Sequence, residues 1–127
     1  MAIDIQKQVE YWKNGAIEDW VVARDLVNQK RVRHGLFFAH LSLEKLLKAR
    51  VCRQTKDLAP RIHNLSRLAE LAELSINQNQ TDILAEMNAF SLEGRYPDPL
   101  TPIPTPVEAK NYLKRAEEVY QWLMSQL

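Results

Sequence analysis

Five of the six prolines stand at positions 97, 99, 102, 104 and 106, and the sixth is Pro60. Proline fixes φ and removes a backbone donor, so residues 97–106 are extended and form neither helix nor inner strand. Outside that segment, apolar residues recur at spacings of three and four, and the alternation typical of strands is absent. With three glycines and plentiful Leu, Ala, Glu, Lys and Gln, the chain favours helix.

The pattern divides into five helical segments. The first spans 4 to about 28, with Asp4 as its cap and Val9, Trp12, Ala16, Trp20, Ala23 and Val27 on one side. Lys30 to Gly35 reads as a basic connection. The second helix, about 36–54, carries Leu36, Ala39, Leu43, Leu46, Leu47 and Arg50 on one side, apolar until its last turn. Thr55 to Arg61 contains Pro60 and forms a connection. A third helix, about 64–74, buries Leu65, Leu68, Ala69 and Ala72, with Asn64 or His63 near its start to cap it. Ser75 to Gln80 reads as a polar turn and Thr81 as the cap of a fourth helix, about 82–93. Gly94 is placed to stop it. A fifth helix, about 107–126, closes the chain on Val107, Tyr112, Leu113, Ala116, Val119, Tyr120 and Leu123. The expectation is one all-α domain over 1–127. It is an antiparallel bundle of about five helices, with two long helices paired and a Pro-rich loop before the last.

At 127 residues the chain can bury a core without staples. Its single cysteine, Cys52, excludes an intramolecular disulfide and a Cys-based metal site. That composition, a start without the features of a signal peptide and the lack of a spanning apolar run fit a cytoplasmic protein. Net charge is +1, unevenly spread: −2 over residues 1–29, +7 over 30–56 and −4 over 57–127. Such a basic run attracts phosphate, or else is a solvated helix face.

Three polar clusters interrupt the apolar pattern, and polar groups held against a core are costly unless paired or used. Glu44, Lys45 and Lys48 lie within one turn. Glu44 and Lys48 are spaced for an ion pair, while the lysines could also reach a pocket rim. His63 follows Pro60 and precedes a helix, where it could cap, bond a carboxylate or act as an acid–base group. Arg95-Tyr96-Pro97-Asp98 follows Gly94. Proline holds Tyr96 extended, and the Arg95 guanidinium suits a phosphate or a carboxylate such as Glu44 or Glu93. Gly-rich phosphate loops and His-Glu-x-x-His patterns are missing. With three histidines and one cysteine, a transition-metal site is not expected and no cofactor is implied. Arg50 and Arg53 flank Cys52 and could activate it, but a plain helix cysteine is the simpler reading. The spacing of Trp12, Trp20 and Trp122 assigns them to the core.

In order and spacing these fragments resemble the HEPN family, the higher eukaryotes and prokaryotes nucleotide-binding domain. The resemblance rests on Ala23-Arg24-Asp25-Leu26, then Phe37-Phe38-Ala39-His40 leading into Glu44-Lys45-Leu46-Leu47-Lys48-Ala49. It continues through Pro60, His63-Asn64-Leu65 and Arg95-Tyr96-Pro97-Asp98 to Ala109 and Ala116. It implies an antiparallel helical bundle that dimerises. It also implies either nucleotide binding or metal-independent ribonuclease activity, and for small prokaryotic members a toxin–antitoxin pairing with a minimal nucleotidyltransferase. The ribonuclease motif of that family joins an Arg to a His with four to six residues between them, in the second half of the domain. Here no histidine follows His63. The pair with a fitting gap, Arg33 and His40, falls at the start of the second helix.

The leading expectation is therefore a cytoplasmic dimer that binds a nucleotide or RNA phosphate, as one component of a two-gene module with a nucleotidyltransferase. Lys45, Lys48 and Arg95 would contact phosphate, Tyr96 would stack on a base or close the pocket, and His63 would orient Arg95 or bond the ligand. Two alternatives are a ribonuclease using His63 or His40 with Arg33 or Arg95, and a non-catalytic interaction domain.

Overall fold

All five helices form, and the residues at their ends explain where the boundaries fall. The computed structural model describes residues 2–127. Helix α1 covers Ile5–Asn28, and the Asp4 carboxylate accepts from the Lys7 amide at 3.1 Å. Its buried stripe is Val9, Ala16, Trp20, Ala23 and Val27, the spacing expected of one helix face.

Helix α2 covers Val32–Thr55 and so begins earlier than the glycine suggested. Gly35 is not a breaker here but a point of close approach. A Cβ on it would lie 2.5 Å from Cγ2 of Val27 and 3.0 Å from the Val27 backbone nitrogen. The connection shrinks to Gln29, Lys30 and Arg31, turning at Lys30 with φ 64°. Burial on α2 is not confined to the predicted stripe. His40, Ser42, Glu44, Lys48, Ala49 and Cys52 are buried beside Leu36, Ala39, Leu43, Leu46 and Leu47. The reason is topological: α2 packs against all four other helices and pairs most extensively with α1.

Helix α3 is the short Leu65–Leu71, capped by Asn64, whose side chain accepts from the Arg67 amide at 2.9 Å. Helix α4 runs from Gln78 to Arg95 and overruns both predicted ends. Asn77 is its cap, through a reciprocal box with Gln80 at 2.8 and 2.9 Å. Thr81 lies inside the helix and donates its hydroxyl to the Asn77 carbonyl at 3.0 Å. Gly94 does not stop the helix, which continues through Arg95. Its missing side chain makes room for Phe37, whose Cγ lies 2.5 Å from where a Cβ would stand. Helix α5, Pro106–Ser125, opens with Pro106 after a Thr105–Glu108 capping box. Val107, expected on its apolar stripe, is exposed in the first turn, and burial begins at Ala109. Glu86 and Arg115 join α4 to α5 through a two-pronged pair at 3.0 and 2.6 Å.

Among the described residues there is no strand. The core gathers Leu36, Leu43, Leu46, Leu47, Leu65, Leu68, Ile83, Leu84, Met87 and Leu123 around α2. Trp20 stacks on Tyr120 at 4.6 Å within it. Among the described residues, no helix is long and apolar enough to cross a membrane.

Candidate functional site

Two of the three polar clusters converge on the middle of α2. Glu44 is 4% exposed and spends both carboxylate oxygens. Oε2 accepts from Lys48 Nζ at 3.1 Å, the pair that the four-residue spacing anticipates. Oε1 lies 3.1 Å from Nδ1 of His63, which arrives from the loop before α3. Facing a carboxylate, Nδ1 is the donor. The guanidinium of Arg95 lies 3.4 Å from the same nitrogen. A nitrogen that donates to Glu44 cannot also accept from Arg95, so the shorter, charge-assisted bond sets the tautomer. Nε2 of His63 is then the bare nitrogen. It makes no hydrogen bond among the described residues, and the side chain is 54% exposed.

Beneath this pair sits His40, fully buried. Its Nε2–H donates to the backbone carbonyl of His63 at 3.0 Å and pins the loop that presents that histidine. Its Nδ1 is 3.8 Å from Glu44 and unbonded. Burial pushes the His40 imidazole down to about 4, against the opposing pull of Glu44. It is therefore neutral at physiological pH.

Arg95 occupies the last turn of α4. Its guanidinium lies over the Phe37 ring at 5.0 Å and donates to the Ser91 hydroxyl one turn back. Among the described residues it has no carboxylate within 4.0 Å, so neither Glu44 nor Glu93 is its partner. With Tyr96, which is 72% exposed, Arg95 borders an open groove whose other walls are His63, Asn64, Asn88 and Leu92. Asn88 fixes that wall by accepting from the Leu65 amide at 2.8 Å.

The remaining sequence candidates lie elsewhere. Lys45 points to α1 and pairs with Asp19 at 2.7 Å. Lys48 is buried, with its ammonium 5.2 Å from the Trp12 ring centre as well as on Glu44. The basic run from 30 to 56 does not gather at this groove: Lys30, Arg31 and Arg33 border a separate depression beside His34 and Pro104. Arg50 and Arg53 bond the Gln126 and Leu127 carbonyls. Arg33 and His40 are seven residues apart on one helix, about 10 Å along its axis, and His40 is sealed in the core. Cys52 is buried and burial raises its thiol, so the flanking arginines do not activate it.

Residues 9–127 match the HEPN domain family. The chain belongs to that family. No curated protein matches it. Among solved structures, TT1696 of Thermus thermophilus is similar, with a TM-score of 0.77 at 19% identity. That match covers 94% of this chain and 98% of that one. ST0689, described as an archaeal HEPN homologue, is similar with a TM-score of 0.72 at 21% identity. It covers 93% of this chain and 96% of its own. At such identities the likeness concerns the fold. In this HEPN chain, Phe37 and Ser91 hold Arg95, and sequence reasoning did not assign them that role. The signal for Ser91 was its place one turn before Arg95, hidden once the helix was read as ending at Gly94.

Proposed function

We propose that this HEPN protein binds a nucleotide or an RNA phosphate in the groove between His63 and Tyr96. The observation that carries the reading is Arg95: a guanidinium held by an aromatic face and a hydroxyl, bordering an open groove, with no carboxylate of the described residues within 4.0 Å. A planar fork of donors without an internal carboxylate suits phosphate oxygens. Tyr96, exposed next to it, offers a face on which a base can stack. His63 bonds the ligand through Nε2. Lys45 and Lys48, each already paired, contribute field more than contact. The wider setting proposed is a cytoplasmic dimer forming a two-gene, toxin–antitoxin-type module with a minimal nucleotidyltransferase.

The test is titration of the intact protein with mononucleotides and short RNA, followed by fluorescence anisotropy over a range of salt. Arg95→Ala should weaken binding by about ten- to hundredfold and reduce the salt slope by about one. Its melting temperature should stay close to that of the parent. A large loss of stability with unchanged binding would overturn the reading.

One observation favours a second reading, metal-independent RNA cleavage. Glu44 holds His63 by Nδ1, which leaves Nε2 bare on a half-exposed side chain that lines the groove. In that reading Nε2 takes the proton of a ribose 2′-hydroxyl, and the 2′-oxygen attacks phosphorus beside Arg95. The 5′-oxygen leaves with a proton from solvent, giving a cyclic phosphate and a 5′-hydroxyl. His63→Ala should abolish cleavage while retaining RNA binding, and a 2′-deoxy linkage should resist the parent protein. Intact RNA after prolonged incubation with the parent protein would exclude this activity.

A further inference from the structure

A second cavity, of about 340 Å³, lies under the proline segment on the far side of α4 from Arg95. Phe90 and Tyr112 form its floor, packed edge to face at 5.0 Å. Pro102 and Ile103 roof it. Its lining is largely apolar, yet two opposite charges border it without pairing. Arg33, from the first turn of α2, has a buried Nε with no hydrogen-bond partner. Glu93, from α4, makes no ion pair among the described residues, although both residues line the same space. The other carboxylate at the rim, Glu86, is already satisfied by the Arg115 fork.

We propose that this cavity binds a small zwitterion with an apolar body, an α-amino acid of leucine to phenylalanine size. Arg33 would take its carboxylate and Glu93 its ammonium, while the side chain lies between Phe90, Tyr112 and the proline roof. The unpaired charges decide the class. An uncharged apolar ligand would leave a buried guanidinium nitrogen unbonded, which is costly. A simple anion would answer Arg33 but leave Glu93 facing apolar surface. A zwitterion answers both. The volume is at the low end of small-molecule pockets and equals roughly eleven waters at about 30 Å³ each, enough for a ligand of about a dozen heavy atoms.

The probe is L-phenylalanine, followed by saturation-transfer NMR on the full chain. Two comparators each lack one charge: 3-phenylpropanoate without the ammonium, and 2-phenylethylamine without the carboxylate. Saturable millimolar binding of L-phenylalanine is expected, the affinity ordinary for so few atoms. Each comparator should bind about ten- to hundredfold more weakly. Arg33→Gln and Glu93→Gln should weaken L-phenylalanine by a similar factor. Ala89 is exposed at the mouth of the cavity, so Ala89→Trp should close it without disturbing the core. Arg95→Ala should leave this binding unchanged, which separates it from the phosphate groove. Failure of L-phenylalanine to saturate the parent protein would overturn the proposal. So would comparators that bind as well as the amino acid, or binding indifferent to all three cavity variants.

Discussion

His40 shows how one buried side chain makes the protein sensitive to pH. Burial holds its imidazole at about 4, below the ordinary 6.5. Between those values the unfolded chain takes up a proton that the folded chain refuses, so stability falls as pH drops through that window. The loss should reach on the order of 3 kcal/mol by its lower end. His40→Gln keeps a donor for the His63 carbonyl and has no proton to gain. Urea midpoints measured across the window should fall less steeply for the variant than for the parent, and parallel slopes would show that other groups dominate. Gly94 is the second single position with a defined outcome. A methyl group there meets the Phe37 ring at 2.5 Å, so Gly94→Ala must displace the ring that supports Arg95. A cost of about 1–3 kcal/mol is expected, visible in thermal melts, together with weaker nucleotide binding.

At the scale of elements, α2 is read from sequence as carrying its apolar residues on one side. The structure wraps it in other helices, so polar residues outside that stripe are buried as well. The sequence carries the i, i+4 spacing of Glu44 and Lys48 but not their burial, because nothing within α2 states that α3 and α4 close over it. The pair therefore matters more than a surface pair would. Lys48→Met should cost about 3–5 kcal/mol by stranding Glu44, while adding Glu44→Gln should recover much of that loss. Denaturant titration of the two single variants and the double variant measures the coupling, and simple additivity would contradict a buried pair. The α1–α2 contact is equally intolerant. In Gly35→Ala the new methyl meets backbone atoms of Val27 and Ala23 at 3.0 and 3.1 Å, atoms that cannot rotate away. A loss of more than about 2 kcal/mol is expected from chemical denaturation. The helix starts and ends that sequence reasoning misplaced have local causes. Thr81 and Asn77 are both good caps, and the reciprocal bond of Gln80 selects Asn77. Glycine near a helix end reads as a stop, whereas Gly35 and Gly94 are present because a neighbour comes close.

For the whole molecule, the helix count, the pairing of two long helices and the proline segment before α5 were legible from periodicity and proline placement, while the structure identifies the pair as α1 and α2. His63, Arg95 and Tyr96 were also legible as candidates, and the fold brings them to one groove. The expected phosphate role of the basic run was not secured by its charge. Side chains on a central helix radiate in every direction, so a sequence-local excess of lysine and arginine disperses over several partners. The same central position has a kinetic consequence. The buried middle of α2, from Leu36 to Cys52, cannot expose its backbone without parting from several helices at once, so its amides should exchange with solvent only through global unfolding. Gly94 to Tyr96 is the end of an outer helix, and Leu92, Gly94 and Tyr96 are exposed there. Its amides should exchange by fraying, at a small fraction of that free energy. Glu44 and His40 would then be a fixed anvil, while Arg95 and Tyr96 form a jaw that opens and shuts without disturbing the core. Hydrogen-exchange mass spectrometry should show these two rates widely separated, and protection of 94–96 equal to that of α2 would mean the jaw does not move.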